Sequence, residues 1–210
     1  MTPYVTIDAQ ARDEFVERRS RFIGTIAPVT TEEEAVAFVN ELRSRYKDAT
    51  HNVYAYCLRE GQTRRFSDDG EPQGTAGKPV LEVLEKEGLT DVAVVVTRYF
   101  GGVLLGAGGL VRAYTQGAKC AVDAAKILHM TPAVRAELDI GYDFYGKLTY
   151  ILADHEVVVE RSDFGEGIRL GLLIKAERQE AFSAQLRELS GGIVQPLILE
   201  ELYAHFEEIR

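Results

Sequence analysis

Residues 92–97 are apolar and β-branched almost without interruption, the pattern of a strand buried on both faces. They run directly into Arg98-Tyr99-Phe100-Gly101-Gly102-Val103-Leu104-Leu105-Gly106-Ala107-Gly108-Gly109-Leu110-Val111-Arg112. A helix pattern follows, with Leu110, Ala113, Tyr114, Gly117, Ala118, Ala121, Val122 and Ala125 on one face and Arg112, Lys119, Asp123 and Lys126 off it. A doubly buried strand, a glycine loop and a helix with a small-residue face require a layered α/β arrangement in which the helix lies close on the sheet. The helix is expected over 110–127.

The flanking segments fit that plan. Strands are expected at 4–7, 22–29 and 52–58. Thr31 and Glu34 form a capping box that opens a helix over 31–46, with Ala35, Phe38, Val39 and Leu42 at helical spacing. Residues 61–77 read as a polar, glycine-rich loop. Pro79 opens a short helix to Glu87, and Gly88 ends it. Periodicity breaks at Met130-Thr131-Pro132, and a second unit begins. Its strand at 134–142 alternates apolar with charged residues, and a helix around Phe144, Leu148, Ile151 and Leu152 follows. Strands at 157–159 and 168–174 flank the Gly165-Glu166-Gly167 turn. A helix with Phe182, Leu186 and Leu189 stops at Gly191-Gly192, before a last strand at 193–202. The order βαββαβ is that of a ferredoxin-like sandwich. The expectation is an α+β chain of two domains, 1–131 and 132–210.

With 46% hydrophobic and 27% charged residues among 210, the chain has the composition of a folded globular protein. No apolar run approaches the ~18 residues of a membrane span, and the polar first fifteen residues contain no secretory core, so a cytoplasmic protein without membrane contact is expected. Two cysteines, Cys57 and Cys120, are too few for a disulfide framework and have no zinc-ligand spacing. The net charge of −9 is concentrated in the second domain. The first carries 16 lysines and arginines against 18 acids, the second 8 against 15. Bulk charge therefore opposes non-specific nucleic-acid binding, and any phosphate contact must come from local arginines of the first domain.

Two stretches carry candidate chemistry. In Arg64-Arg65-Phe66-Ser67-Asp68-Asp69-Gly70-Glu71-Pro72-Gln73-Gly74-Thr75-Ala76-Gly77, three carboxylates fall within four residues. Asp68, Asp69 and Glu71 could ligate Mg²⁺ or accept a partner's basic group; alternatively Arg64 and Arg65 pair with them in an ordered surface loop. In the second stretch, Gly101, Gly102, Gly106, Gly108 and Gly109 precede a helix. They could cradle a phosphate or carboxylate on free backbone N–H groups, with Arg98 and Arg112 as counter-charge, or serve tight turns and close packing. Neither a P-loop nor a dinucleotide fingerprint can be read there. His51 suits a hydrogen-bonding role, Cys57 and Cys120 show no activating setting, and Ser67 lies outside any nucleophile elbow.

Ser67 to Pro79 and Arg98 to Tyr114, together with His51, Tyr54, Ala55 and Tyr56, closely resemble the signature of the IMPACT/YigZ family. That resemblance implies a first domain like the second domain of small-subunit ribosomal protein five. It also implies a second domain like the last domain of elongation factor G. Eukaryotic relatives act in translational control by binding the activator of a general-control kinase. That role rests on a further N-terminal domain that this chain is expected to lack, so the partner is not carried over. The resemblance implies contact with nucleic acid or the translation machinery, and with no nucleophile or base in a catalytic setting the expectation is a non-catalytic binding or regulatory protein linked to translation. Its partner would be RNA or a ribosome-associated protein, bound near Arg64, Arg65, Arg98, Tyr99, the five glycines and Arg112, with no cofactor. The alternative is an enzyme for a small phosphorylated or carboxylated substrate held at the glycine loop, with Mg²⁺ on Asp68, Asp69 and Glu71.

Overall fold

The structure, a computed structural model, describes residues 1–206. The chain divides into two compact units, one spanning Tyr4–His129 and the other running from Met130 onward together with Met1–Pro3. In the first unit, β1 (Tyr4–Ile7) is followed by β2 (Ala11–Glu17), β3 (Ser20–Pro28), α1 (Glu32–Arg45), β4 (His51–Cys57), β5 (Arg64–Ser67), α2 (Gly77–Lys86), β6 (Val92–Tyr99) and α3 (Ala107–Asp123). An antiparallel sheet orders its strands β2-β3-β6-β4-β5, with β6 at the centre. The valine run behaves as its composition requires. Val92, Val94 and Val96 enter the core formed with α2 and α3, while Ala93 and Val95 enter the one formed with α1.

Small residues set how closely α3 approaches. A Cβ on Gly24 of β3 would sit 2.0 Å from the Gly117 carbonyl oxygen, and one on Gly117 would sit 2.7 Å from a Val96 methyl. Helix and sheet meet backbone to backbone there, beneath the glycine loop that opens α3.

Four local expectations need correction. β2 is absent from the sequence reading because Arg12, Asp13 and Glu14 mask it; it is a sheet edge whose Ala11 and Phe15 alone pack inward. The loop expected over 61–77 contains β5, a four-residue edge strand registered on β4 from Tyr54↔Ser67 to Cys57↔Arg64. α3 occupies 107–123 rather than 110–127, and Met130-Thr131-Pro132 does not interrupt structure but lies within β7 (Ile127–Ile140). Pro132 is tolerated because it faces Tyr203 of β10 (Leu197–His205), whereas the ladder to β9 (Ile168–Lys175) starts only at Ala133, so the missing N–H breaks no bond on that side.

With α4 (Tyr142–Asp154), β8 (Val158–Phe164) and α5 (Gln179–Leu189), the second unit has strand order β10-β7-β9-β8, all antiparallel. This is the ferredoxin-like order 4-1-3-2, and Leu148, Ile151, Phe182 and Leu186 of the helices share its core with Ala136, Leu138, Leu170 and Leu172 of the sheet. The opposite sheet face carries paired charges, Arg135 with Glu160 and Glu200, and Arg169 with Asp139.

Gly24→Ala is expected to cost at least about 3 kcal/mol in chemical denaturation, the upper range for overpacking, because its neighbour is backbone and cannot yield. Gly146→Ala, on α4 with nothing within 4 Å of the added Cβ, is expected to gain about 0.5–1 kcal/mol from helix propensity. An unchanged midpoint for Gly24→Ala would refute the close helix–sheet contact.

Candidate functional site

The two signature stretches meet at a buried ion pair. Arg98, at the end of β6, projects on the α3 side and donates from Nη1 to Glu71 Oε1 at 2.6 Å; both side chains are almost inaccessible, at 6% and 4%. Tyr114 of α3 donates its hydroxyl to the same oxygen at 2.7 Å. Burial first, and the Glu71 charge second, push the Tyr114 phenol strongly upward, so it stays a donor. His51 Nδ1 lies 2.7 Å from the Asp69 carbonyl oxygen and donates to it, which leaves Nε2 3.7 Å from Glu71. His51 is thus a hydrogen-bonding residue.

The other two carboxylates are equally occupied. Asp68 accepts from the N–H groups of Gly74, Ala76 and Gly77 at 2.9, 3.1 and 2.7 Å. It caps α2 from nine residues upstream, while the N-cap residue Ala76 has no side chain able to do so. Asp69 accepts from Arg43 at 2.7 Å and from the Asn52 N–H at 2.6 Å, and the Ser67 hydroxyl accepts from the Asp69 N–H. With the three side chains spent on a helix cap, a strand N–H and an arginine, they do not converge as a cation cage requires. No cluster of three or more potential ligands occurs among the described residues.

The cluster of Arg64, Arg65, Arg98 and Arg112 considered from the sequence does not assemble. Arg64 and Arg65 pair with Cys57 and Tyr56 on the β5 edge, whereas Arg98 lies opposite His51 at the other end of β4. Arg65 sits 3.7 Å from Glu32 and Arg64 4.0 Å from Glu85. Nor do these arginines pair with the signature carboxylates; that part is taken by Arg43 and Arg98. Arg98 is neutralised internally. The Tyr99 hydroxyl donates to Asp48, and burial followed by that bond raises its pKa. Burial lifts the Cys57 thiol to about 11 and raises that of Cys120, so neither is an activated nucleophile.

What remains open to solvent is the glycine loop and its neighbour, the β2–β3 turn, which sequence reasoning passed over. Arg18 and Arg19 in that turn both adopt left-handed backbone, at φ 45° and 67°. A Cβ on Gly101 would lie 2.1 Å from the Arg19 carbonyl, so only glycine fits against the turn. The buried Ser20 hydroxyl ties the parts together, accepting from the Gly101 N–H at 3.2 Å and from Arg98 at 3.4 Å. Gly102 and Gly106 provide positive φ, and Gly109 makes room for Leu105. A crevice of about 160 Å³ runs between turn and helix, lined by Glu17, Arg18, Leu105, Gly109, Arg112 and Gln116. The Arg112 guanidinium lies 3.7 Å from where a Gly108 Cβ would be. Among the described residues Arg112 and Arg19 have no ion partner, and Arg18 has only Glu17 at 3.9 Å, both exposed. Phe100, Val103 and Leu104 are 45%, 37% and 80% exposed beside them.

Removing Glu71 leaves a buried arginine unpaired, so Glu71→Ala is expected to cost about 3–5 kcal/mol, against about 1–2 kcal/mol for loss of the α2 cap in Asp68→Ala. Thermal melts of both variants check the order. Millimolar Mg²⁺ should leave the wild-type midpoint unchanged; a rise abolished by Asp68→Asn would restore the metal reading.

The chain is similar to known proteins over most of its length. The Impact N-terminal domain family matches residues 18–122, and the domain of unknown function DUF1949 matches residues 138–192. The IMPACT family member YvyE of Bacillus subtilis (strain 168) is 35% identical over 190 residues, covering 90% of this chain and 88% of that protein. The IMPACT family member YigZ of Escherichia coli (strain K12) is 36% identical over 187 residues, covering 88% and 92%. Protein IMPACT of Xenopus laevis aligns over 94 residues at 38% identity, 43% of this chain and 30% of that protein. A crystal structure described as that of a hypothetical protein superposes with a TM-score of 0.61 at 34% identity, covering 95% of this chain and 98% of that one. With both domains matched in order and relatives aligned over most of its length, the chain belongs to the IMPACT family.

Proposed function

We propose that this chain is a non-catalytic, cytoplasmic binding protein whose contact surface for RNA is formed by the Arg18-Arg19 turn, the loop from Phe100 to Gly106 and Arg112. One observation carries this reading: the signature's carboxylates and Arg98 are consumed internally, while the arginines flanking the crevice keep their charge available beside exposed apolar side chains. Arginine charge with an exposed aromatic is what contact to phosphates and bases requires. With 16 basic residues against 18 acids, the first domain has no net positive charge, which makes such contact local rather than diffuse. A link to translation is the one the family resemblance implies. The enzyme reading loses support because no carboxylate in the loop is left to act as a base or metal ligand.

Co-sedimentation with purified ribosomes and with protein-free ribosomal RNA tests the proposal. The wild type should bind both. Arg18→Ala/Arg112→Ala should bind at least tenfold more weakly, with a salt slope reduced by about two, one per lost phosphate contact. Equal binding by the double variant, or binding to ribosomes but not to their RNA, would contradict it.

A further inference from the structure

The number of available charges restricts which RNA this surface can hold. A protein that grips a duplex through its backbone typically neutralises about 6–10 phosphates. Here Arg18, Arg19 and Arg112 are available. Arg21, next along β3, is held by Glu14 at 2.8 Å, and Arg98 is buried against Glu71. Asp13, Glu14 and Glu17 lie along the same hairpin, so a rigid double helix laid across it would meet carboxylates as well as arginines.

The same surface is well provided with apolar contact. Phe100 is 45% exposed, and the Arg98 guanidinium lies 5.4 Å from its ring centroid. Because Arg98 is itself buried and fixed by Glu71 and Ser20, the half-exposed ring is backed by a fixed cation. Leu104, at 80% exposure, projects from the same loop, and Leu105 of that loop lines the crevice with Arg18 and Arg112. A base stacks on such a ring only when it is free of a helix, and the crevice of about 160 Å³ admits a phosphate group but no duplex.

Resting on the RNA reading above, we propose that the ligand is single-stranded RNA, with one base stacked on the exposed Phe100 ring and neighbouring phosphates held one each by Arg18, Arg19 and Arg112. Stacking then carries most of the affinity, and the arginines fix the strand's path. A protein whose net charge is −9 can hold an anionic strand on these terms, because three phosphate contacts suffice once a base is docked.

Fluorescence anisotropy with a labelled twelve-nucleotide oligouridylate and with a twelve-base-pair RNA duplex, at 50 and 150 mM salt, tests this. The strand should bind at least tenfold tighter than the duplex, with a shallow salt slope of about three or less. Phe100→Ala should weaken strand binding roughly 5- to 100-fold, the range for one lost base stack, and leave duplex binding unchanged. Phe100→Tyr should stay within about twofold of wild type, and Phe100→Leu, which keeps apolar bulk without a ring, should fall with Phe100→Ala. Circular dichroism melts of each variant confirm folding, and Phe100→Leu decides if Phe100→Ala is unstable. Duplex binding as tight as strand binding would overturn the proposal while leaving the RNA reading in place, as would full affinity in Phe100→Leu. Binding of neither RNA would remove both.

Discussion

Glu71 and Arg98 meet in a site from which water is almost wholly excluded, and the two signature stretches depend on that contact. A buried carboxylate is costly unless its charge is matched and its lone pairs are used; here a guanidinium and a phenol converge on one oxygen. The pair alone does not satisfy the arginine, whose Nε has no hydrogen-bond partner among the described residues, so the remaining fit comes from Ser20 and from the rings of Phe22 and Phe100 on either hand. Each contact is also a structural tie. Glu71 fixes the loop after β5, Arg98 the end of β6, Tyr114 the second turn of α3, and Ser20 the hairpin turn together with Gly101.

This changes what an acidic signature motif signifies. Asp68, Asp69 and Glu71 read in sequence as a ligand set because three carboxylates in four residues have few structural uses. In the fold each has a separate one: a helix cap, a strand N–H with an arginine, and a buried ion pair. The motif's glycines divide in the same way. Gly101 admits the backbone of Arg19, and Gly102 and Gly106 turn the chain. The acidic stretch therefore builds the support, and the glycine loop with the arginine turn beside it forms the exposed surface.

The elements legible in sequence were those whose burial imposes a period. β6 announced itself by unbroken β-branching, α1 by its capping box, and the second unit by alternation in β7 and the helix patterns around Phe144 and Phe182. The edge strands β2 and β5 were illegible because an edge buries too little to impose a pattern and their charged residues face water. The start of β7 was hidden by Pro132, which breaks a helix but is accommodated in this strand one residue before the ladder to β9 begins at Ala133. For the site, the signature residues stood out, yet their partners did not. Ser20, Arg43 and the Arg18-Arg19 turn come from 26 to 82 residues away in the chain, and only the fold of the sheet brings them to the signature stretches. Two consecutive arginines carry no mark of left-handed backbone; a Gly101 that would collide with Arg19 shows it only in three dimensions.

Native-state hydrogen exchange in Glu71→Gln, which keeps the side chain's shape and removes its charge, tests most directly whether the buried pair holds both stretches. Amide exchange should quicken together in residues 68–76 and 100–106, with the Gly101 N–H losing the protection it draws from Ser20, while the centre of β6 around Val94 stays as slow as in the wild type. Acceleration confined to 68–76, with Gly101 unchanged, would show that the glycine loop stands without Glu71 and would contradict the coupling of the two stretches.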